Sequence, residues 1–473
     1  MSLVIKNATI IDGVADRPME GKSLWIQGNR IKAIAGEDEL SLSPATTTID
    51  ARGKYIIPGL IDGNVHFLQD MRLEHLVRHE SQYEDVILEA AQIALRSGVT
   101  TAFDTWGPRR PLVALRERIN AGGVPGTRMF CAGNIVGLDG PISADFIHKA
   151  AEIASPAQIE RINALWVENV GPALSWMTPC QVAKEIRAYI AKGVDFIKYA
   201  SSEHRWATTT SFLVFSPAVQ AAIVEEVHQT GLTVQAHTTS VESLRVAVEA
   251  GCDLIQHPNL TGPVPIPDET LELMAKRSTA AAVFPFTRRR RDWMLRKGDG
   301  ISGVFSASTV DINIHNLIKA GAKFVMATDG GIWGRDAASD PFWAAAITGE
   351  DNLIELGQGH FHWLVAMEEM GLPSLQILRA ATYDVAAAYG KGKDLGTIEP
   401  GKIADLIILD RNPLQSAENY RSIHKILKDG VDIDRSLLPQ SPILTMPAGE
   451  PSPEVLAYRA HRRAGDSARP FCC

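Results

Sequence analysis

Five side chains that bind metals or carry protons lie at or near the ends of short apolar runs in this sequence. These side chains belong to His66, Lys198, His237, His257 and Asp329. Asn64 stands two residues before His66, so the two side chains point the same way if this run is a strand. Parallel α/β proteins gather such side chains at the carboxyl ends of their strands. The pattern predicts a metal centre formed by Asn64 and the other five residues.

Imidazole and carboxylate groups dominate this set. Imidazole nitrogen is a good ligand for zinc, cobalt and iron. Any one of the three histidines is more typical of a hydrogen-bonded core residue, but three at separate strand ends favour a shared metal. Asp329 precedes two glycines, so its carboxylate stands at a strand end as a ligand or as a base. The alternative for Asp329 is a helix N-cap.

Lys198 interrupts the apolar run 196–200. A buried ammonium group is costly, and burial lowers the pKa of a lysine. A neutral amine reacts with CO₂ to give a carbamate, whose oxygens can bridge two cations. We therefore expect a carbamate on Lys198 and one or two divalent ions. The alternative is an ion pair between Lys198 and a nearby carboxylate.

Hydrolysis of a carbonyl-type bond is the chemistry that this set predicts. A divalent metal lowers the pKa of the water that it binds and polarises a carbonyl oxygen. Asp329 would carry the proton to the leaving nitrogen or sulfur. Asp329 and Lys198 are therefore the predicted catalytic residues. Zinc is the expected metal, with cobalt, manganese and iron as alternatives.

Strand and helix patterns alternate through residues 58–395. Amphipathic stretches such as 217–230 and 240–250 each precede a glycine, which is a helix stop. The alternation predicts an α/β fold, a (β/α)₈ TIM barrel, with a doubly wound open sheet as the alternative. The barrel is favoured because polar residues collect at the carboxyl ends of runs along the whole segment. The candidate strands are 55–62, 100–104, 128–132, 195–199, 233–237, 253–257, 280–285 and 323–329.

Short strands and turns occupy both ends of the chain. The ranges 1–57 and 396–437 have the pattern of short strands separated by turns, with turns at Asp12-Gly13 and Asp429-Gly430. The simplest topology pairs the two ends in one small β-sandwich domain. Residues 438–473 are rich in proline, serine and arginine, so we expect a poorly structured arm or tail there.

Aromatic residues follow several predicted strands and predict a substrate pocket. Trp106, Trp206, Phe286 and Trp333 all lie just past predicted carboxyl ends. A pocket entrance lined with aromatic side chains suits a flat apolar substrate. The alternative is packing under long loops. His204 is a candidate for hydrogen bonding to substrate, although exposure to solvent is the simpler interpretation.

Composition excludes several classes of protein. The 473 residues carry a net charge of −8, which argues against a nucleic-acid or membrane partner. The five cysteines show no metal-binding spacing, and with no signal segment they indicate a cytoplasmic protein. Gly330-Gly331 is not a dinucleotide fingerprint. The run Arg288 to Arg291 is expected to be a solvated loop or a subunit contact, and a homo-oligomer is expected.

The combined motifs resemble the amidohydrolase superfamily. The resemblance rests on the segment Pro58 to Asp62 before the first ligands, on the predicted ligands, and on the closing segment Gly401 to Leu406. Members of that family place His-x-His on the first strand, a carboxylated lysine on the fourth, one histidine each on the fifth and sixth, and an aspartate on the eighth. The resemblance implies the ligand set Asn64, His66, Lys198, His237, His257 and Asp329.

Asn64 departs from the family pattern, because the first strand reads Asn-x-His. This variation is similar to the bacterial phenylurea hydrolases and molinate hydrolase. An amide oxygen is a weaker ligand than imidazole, so the Asn64 side of the centre should bind its ion less tightly. The resemblance implies hydrolysis of an N-aryl urea, such as a herbicide of the diuron or linuron type, with release of an aniline. A thiocarbamate hydrolase, a prolidase-like or dipeptidase-like enzyme acting on N-acyl amino acids, and a non-catalytic scaffold are the alternatives.

Overall fold

Strands and helices alternate along most of the chain. The computed structural model describes residues 2–36, 39–40, 42, 44–69, 72–143, 145–146, 149–204, 210–297, 306–334, 337 and 351–445. The strands are β1 (Ser2–Ile10), β2 (Met19–Gln27), β3 (Arg30–Ala35), β4 (Thr47–Asp50), β5 (Tyr55–Pro58), β6 (Leu60–His66), β7 (Val99–Asp104), β8 (Arg128–Cys131), β9 (Ile197–Ala200), β10 (Ser202–His204), β11 (Ser211–Leu213), β12 (Val234–His237), β13 (Leu254–Gln256), β14 (Ala280–Val283), β15 (Lys323–Met326), β16 (Gly330–Gly331), β17 (Leu406–Leu409), β18 (Ile423–Lys428) and β19 (Val431–Asp432).

Helices separate most of the parallel strands. The α-helices that the structure describes are α1 (Glu74–Arg78), α2 (Tyr83–Arg96), α3 (Arg109–Asn120), α4 (Pro156–Val167), α5 (Pro179–Ile190), α6 (Pro217–Gln229), α7 (Val241–Ala250), α8 (Asp268–Arg277), α9 (Arg288–Lys297), α10 (Ala307–Lys319), α11 (Gly359–Glu369), α12 (Ser374–Ala380) and α13 (Tyr383–Ala388). In this part of the chain, no helix is long and apolar enough to cross a membrane.

Two parallel sheets contain the central strands. One has the order β15-β14-β13-β12-β9, and the other has the order β16-β6-β7-β8. Backbone hydrogen bonds link them on two sides: Val136 N donates to Lys198 O at 2.8 Å, and Asp329 N donates to Asn64 O at 2.9 Å. The α/β class predicted from the sequence is confirmed, and each of the eight candidate runs overlaps a strand.

Local sequence explains these elements. Every residue of β9 and of β14 is buried, as expected for strands that are covered on both faces. Helix α7 begins after Ser240, whose side chain accepts a hydrogen bond from Ser243 N, and ends at Gly251 with φ of 97°. A left-handed residue at this position favours glycine, which has no Cβ to clash. The stretches 217–230 and 240–250 are therefore helices, as predicted.

The expected single strand over 55–62 is wrong, because it divides at Gly59. Residues Tyr55–Pro58 form β5, whereas Leu60–His66 form β6 in a parallel sheet. A Cβ added at Gly59 would meet Thr100 Oγ1 at 2.1 Å, so only glycine fits where the chain passes between the sheets. Backbone contact this close is a common reason for glycine within a strand pattern.

Strands from both chain ends form one eight-stranded sheet. Its order is β19-β18-β17-β5-β1-β2-β3, with β4 paired to β1. Strand β17 pairs antiparallel with β5, and Leu406 lies opposite Pro58. The predicted pairing of the two ends is therefore observed. The described strands are hydrogen-bonded in a single sheet, and the sandwich layering stays a prediction.

A buried arginine connects this end sheet to the parallel strands. Arg128 is the first residue of β8, and its Nη2 lies 2.6 Å from Asp429 Oδ1 and 3.3 Å from Asp405 Oδ2. Asp405 precedes β17 and Asp429 follows β18. Charge-assisted hydrogen bonds of this kind fix the relative position of the elements that they join.

The structure differs from two predictions made for surface segments. The arginine run 288–291 is the first turn of helix α9 and not a loop, and Arg291 Nη1 lies 2.5 Å from Asp311 Oδ2. The start of the arm is bound to α2, because Glu89 accepts backbone N–H groups of Ile443 and Leu444 at 2.7 and 2.8 Å. Residues 446–473, with the remainder of the predicted arm or tail, lie outside the described residues.

Candidate metal centre

The six predicted ligands come from five different stretches of chain at the same ends of the parallel strands. Asn64 and His66 lie on β6, Lys198 on β9, and His237 ends β12. His257 follows β13, and Asp329 follows β15 by three residues. His257 and Asp329 have positive φ angles of 38° and 56°. A non-glycine residue in this region is strained, and such strain is concentrated at functional sites.

Asp329 is the centre of one group of contacts. Its Oδ1 accepts a hydrogen bond from Asn64 Nδ2 at 2.8 Å and lies 3.0 Å from His66 Nε2. Burial raises the pKa of this carboxyl, but His66, Lys198 and His257 outweigh burial and hold the pKa of Asp329 below its usual range. Asp329 is therefore ionised at neutral pH, as a metal ligand or a proton acceptor requires.

Asn64 connects several polar side chains. Its Nδ2 donates to Gln256 Oε1 at 3.0 Å as well as to Asp329, which fixes the orientation of the amide. Its Oδ1 accepts a hydrogen bond from the Thr105 hydroxyl. In this arrangement every polar atom of the Asn64 side chain contacts protein. Its assignment as a ligand stays a prediction, while its contact with Asp329 is direct.

Lys198 is buried beside the same group. Burial lowers the pKa of Lys198 to about 8, although Asp329, Asp104 and Glu203 oppose the shift. Its Nζ donates to Thr105 Oγ1 at 3.1 Å, and no carboxylate of the described chain forms an ion pair with it within 4.0 Å. The ion-pair alternative is therefore not observed. An amine with this pKa has the neutral form that carbamate formation requires.

The histidine pair His237 and His257 forms the other side of the centre. Their ring centroids lie 4.6 Å apart at an interplanar angle of 79°. His257 Nδ1 lies 3.1 Å from the carbonyl oxygen of Thr238, so a proton on Nδ1 leaves Nε2 free to accept a cation. Burial lowers the pKa of His257 to about 3, so this ring is neutral at physiological pH, as metal binding requires.

Glu203 is a functional candidate that the sequence pattern did not reveal. Its carboxylate is 4 % exposed on the short strand β10. Its Oε2 lies 3.2 Å from His237 Nε2, and its Oε1 lies 2.9 Å from His204 Nδ1. Burial raises the pKa of Glu203, but these histidines outweigh burial and hold it below its usual range. The only sequence signal was an acidic residue beside His204, shortly after Lys198.

The donor set fits a divalent metal in its chemistry. His66 Nδ1 is a buried nitrogen without a hydrogen-bond partner in the described structure, and such a group is costly unless something binds it. Three imidazoles beside an ionised carboxylate and a lysine of lowered pKa match the preferences of zinc and its neighbours. Within the described ranges, no three His, Cys, Asp or Glu side chains already form a cluster that could hold an ion.

The predicted pocket residues have different environments. Trp106 contacts the centre: its ring lies 5.8 Å from that of His66, edge to face, and 4.0 Å from that of Phe146. Phe286 is buried in the core against Phe284, as the packing alternative expects. His204 is buried beside Glu203, so the interpretation that it faces solvent is wrong.

Trp333 and Trp206 are not placed at the centre by the described structure. Trp333 lines a cavity of about 560 Å³ together with Arg96, Phe361 and Arg421, and none of the predicted ligands lines it. This cavity is therefore separate from the candidate metal centre. Trp206 lies outside the described residues.

Comparison with known families identifies the class of protein. The sequence model described as the Amidohydrolase family matches residues 55–433. The chain therefore belongs to the amidohydrolase family and is a hydrolase acting on carbon–nitrogen bonds. Among curated sequences, imidazolonepropionase from Geobacillus sp. (strain WCH70) is 22% identical over 432 residues, which cover 87% of this chain and 90% of the relative.

Two solved structures are considerably more similar. Molinate hydrolase is 34% identical with a TM-score of 0.89, over 95% of this chain and 98% of that one. Phenylurea hydrolase B is also 34% identical, with a TM-score of 0.90, over 95% of this chain and 100% of that one. The resemblance inferred from the sequence motifs is confirmed at the level of this group.

Proposed function

We propose that this enzyme is a metal-dependent hydrolase that cleaves a C–N bond of an N-aryl urea and releases an aniline. The observation that carries the proposal is the convergence of Lys198, His237, His257 and Asp329, with Trp106 beside His66. The similarity to phenylurea hydrolase B supports the substrate class. The expected cofactor is one or two divalent ions, zinc first, with a carbamate on Lys198.

The proposed architecture is a closed (β/α)₈ barrel over residues 58–395. Support comes from the backbone hydrogen bonds that link the two parallel sheets on both sides. We assign residues 1–57 and 396–437 to a small β-sandwich domain and 438–473 to an arm. The pairing of β5 with β17 supports the union of the two ends. A barrel of this kind has its chemistry at the carboxyl ends of its strands.

The protein groups have distinct proposed roles. When bound, the metal supplies Lewis acidity, which activates water and polarises the carbonyl of the substrate. His66, His237, His257 and a carbamate on Lys198 would hold the ion. Asp329 accepts a proton from the attacking water and delivers it to the leaving nitrogen, because its carboxylate is ionised and half-buried. Asn64 keeps Asp329 in place through its 2.8 Å hydrogen bond.

Trp106 supplies the proposed aromatic contact to substrate. Its ring is 7 % exposed, and Nε1 donates to Asn134 Oδ1 at 3.1 Å, which fixes the ring plane. A fixed ring beside a metal centre favours a flat aryl group by stacking or edge contacts. The assignments of His204, Trp206, Phe286 and Trp333 to substrate stay predictions.

A thiocarbamate is the second candidate substrate. Molinate hydrolase is as similar to this chain in sequence as phenylurea hydrolase B, at 34% identity each. The same centre would deliver the proton to a leaving sulfur in place of nitrogen. The two candidates differ in the aryl group, so a substrate screen separates them.

Metal analysis combined with turnover tests the proposal. We expect at least one equivalent of divalent metal in purified enzyme and turnover of phenylureas above that of thiocarbamates and N-acyl amino acids. His257→Ala and Lys198→Ala should lose metal and activity together. His228→Ala is the matched control, because this exposed histidine lies on α6 and its ring pairs with Asp253, away from the predicted ligands. Metal-free enzyme with full activity would overturn the proposal.

A further inference from the structure

Glu203 is a buried carboxylate with no role in the reaction proposed above. Its two oxygens face two different histidines, His237 at 3.2 Å and His204 at 2.9 Å. Its Oε1 also accepts the backbone N–H of His204 at 2.8 Å. A buried charge costs free energy unless it is paired and hydrogen-bonded. The role of Glu203 therefore concerns these histidines.

Hydroxyl groups fix the strand of Glu203 against the segment that follows His237. Ser202 Oγ accepts a hydrogen bond from Thr239 N at 2.9 Å and lies 2.8 Å from Thr239 Oγ1. Ser211 Oγ, on the partner strand β11, lies 3.2 Å from the same Thr239 Oγ1. These bonds hold together the two stretches of backbone that carry Glu203 and His237.

We propose that Glu203 is a positioning residue of the metal centre, which holds Nε2 of His237 and leaves Nδ1 to bind the cation. The inference rests on the proposed function, because it takes His237 as a ligand. A histidine ligand that donates its other ring N–H to a carboxylate keeps one tautomer and one orientation, and becomes a better base. His257 has the complementary arrangement, with Nδ1 held by Thr238 O and Nε2 free.

Direct binding of Glu203 to the ion is the competing arrangement. The two roles differ in their response to a neutral side chain of the same shape. The amide oxygen of glutamine can accept a hydrogen from His237, so Glu203→Gln should keep part of the function. An anionic ligand has no such substitute, so its replacement by glutamine should cost as much as its removal by Glu203→Ala.

Metal titration of the full-length protein tests the proposal without any substrate. Metal-free enzyme is prepared with a chelator, and Zn²⁺ or Co²⁺ alone is then added back. We expect Glu203→Gln to weaken metal binding by about tenfold and Glu203→Ala by about a hundredfold. The visible spectrum of bound Co²⁺ should shift in both variants, because the orientation of His237 changes.

Glu226→Gln is the matched control for these variants. Glu226 is also a buried glutamate, but it lies on α6 and pairs with Arg187 at 2.6 Å. The Glu226→Gln variant should bind Zn²⁺ and Co²⁺ as the wild type does. If Glu203→Ala does not fold, Glu203→Gln carries the test alone.

The outcomes separate this inference from the proposed function. Wild-type affinity in Glu203→Gln and Glu203→Ala would overturn the inference and leave the proposed function intact. Equal losses in both variants would overturn it in favour of direct ligation. If the Glu203 variants lose metal affinity as expected but the wild-type enzyme does not hydrolyse ureas, the inference is supported and the proposed urea substrate is rejected. A wild-type protein that binds no metal would overturn both.

Discussion

Lys198 shows how the reactivity of one residue depends on its burial. Burial lowers its pKa to about 8, so near that pH the neutral amine that reacts with CO₂ is abundant. When metal-free enzyme is reconstituted with metal and ¹³C-bicarbonate, we expect a carbamate signal in the ¹³C NMR spectrum. Lys198→Arg should lack this signal, because the guanidinium stays protonated. Lys428→Arg, at a buried lysine paired with Asp429, should retain it. A signal that persists in Lys198→Arg would contradict the assignment.

His360 gives a pH dependence of stability that is independent of the metal centre. This buried ring lies 3.0 Å from Ser97 O, and burial lowers its pKa from 6.5 to about 3. Between these values the unfolded chain binds more protons than the folded one, so the free energy of unfolding falls as the pH decreases. The slope from this residue approaches about 1.4 kcal/mol per pH unit.

Replacement of His360 isolates that contribution. His360→Gln can still donate to Ser97 O but does not titrate, so its unfolding free energy should fall less between pH 6.5 and pH 4. His315→Gln, at an exposed histidine of α10, is the control and should follow the wild type. Urea unfolding at several pH values measures both. Parallel curves for wild type and His360→Gln would refute the prediction.

At the scale of elements, one carboxylate of α2 binds the backbone of residues 443–445. Glu89 accepts backbone N–H groups from Ile443, Leu444 and Thr445 at 2.7 to 2.8 Å. Glu89→Ala leaves these donors without a partner, so we expect a loss of about 1–3 kcal/mol and faster proteolysis of the arm. Glu84→Ala, on the same helix but half exposed and 3.6 Å from Arg118, should cost less than about 1 kcal/mol. Unchanged proteolysis in Glu89→Ala would contradict this role.

Sequence reasoning located the central strands because strands covered on both faces leave continuous apolar runs, as in β14. Strand β10 has no such pattern, since it consists of Ser202, Glu203 and His204. One oxygen of Glu203 contacts the adjacent His204, but the other faces His237, which only folding brings near. The division of 55–62 at Gly59 depends on the approach of Thr100, which is equally invisible in one sequence.

The contacts of Asn64 show the same limit within the site. Its position two residues before His66 follows from the alternation of a strand. Its partners Gln256 and Thr105 come from β13 and from the end of β7, and no local pattern connects them. Sequence spacing therefore predicts which strand presents a side chain, whereas its hydrogen bonds depend on the packing of several strands.

At the scale of the whole molecule, Arg128 joins the end sheet to the parallel strands. Its partners Asp405 and Asp429 are buried and half-buried, and burial raises the pKa of Asp405. Arg128→Ala leaves a buried carboxylate without its cation, so the free energy of unfolding should fall by about 3–5 kcal/mol. Arg245→Ala, which removes an arginine from exposed pairs on α7, should cost at most about 1 kcal/mol. Shifts in the urea midpoint measure both.

Combined substitution distinguishes a lost ion pair from simple loss of packing. In Arg128→Met with Asp405→Leu, no buried charge is left at these two positions, because both partners become apolar. Removal of both partners of a buried pair is often nearly neutral, so the double variant should be more stable than Arg128→Met alone. None of the predicted metal ligands contacts Arg128 in the described structure, and the metal content of the folded double variant should equal that of the wild type. A double variant less stable than either single variant would mean that Arg128 acts through packing and not through its charge.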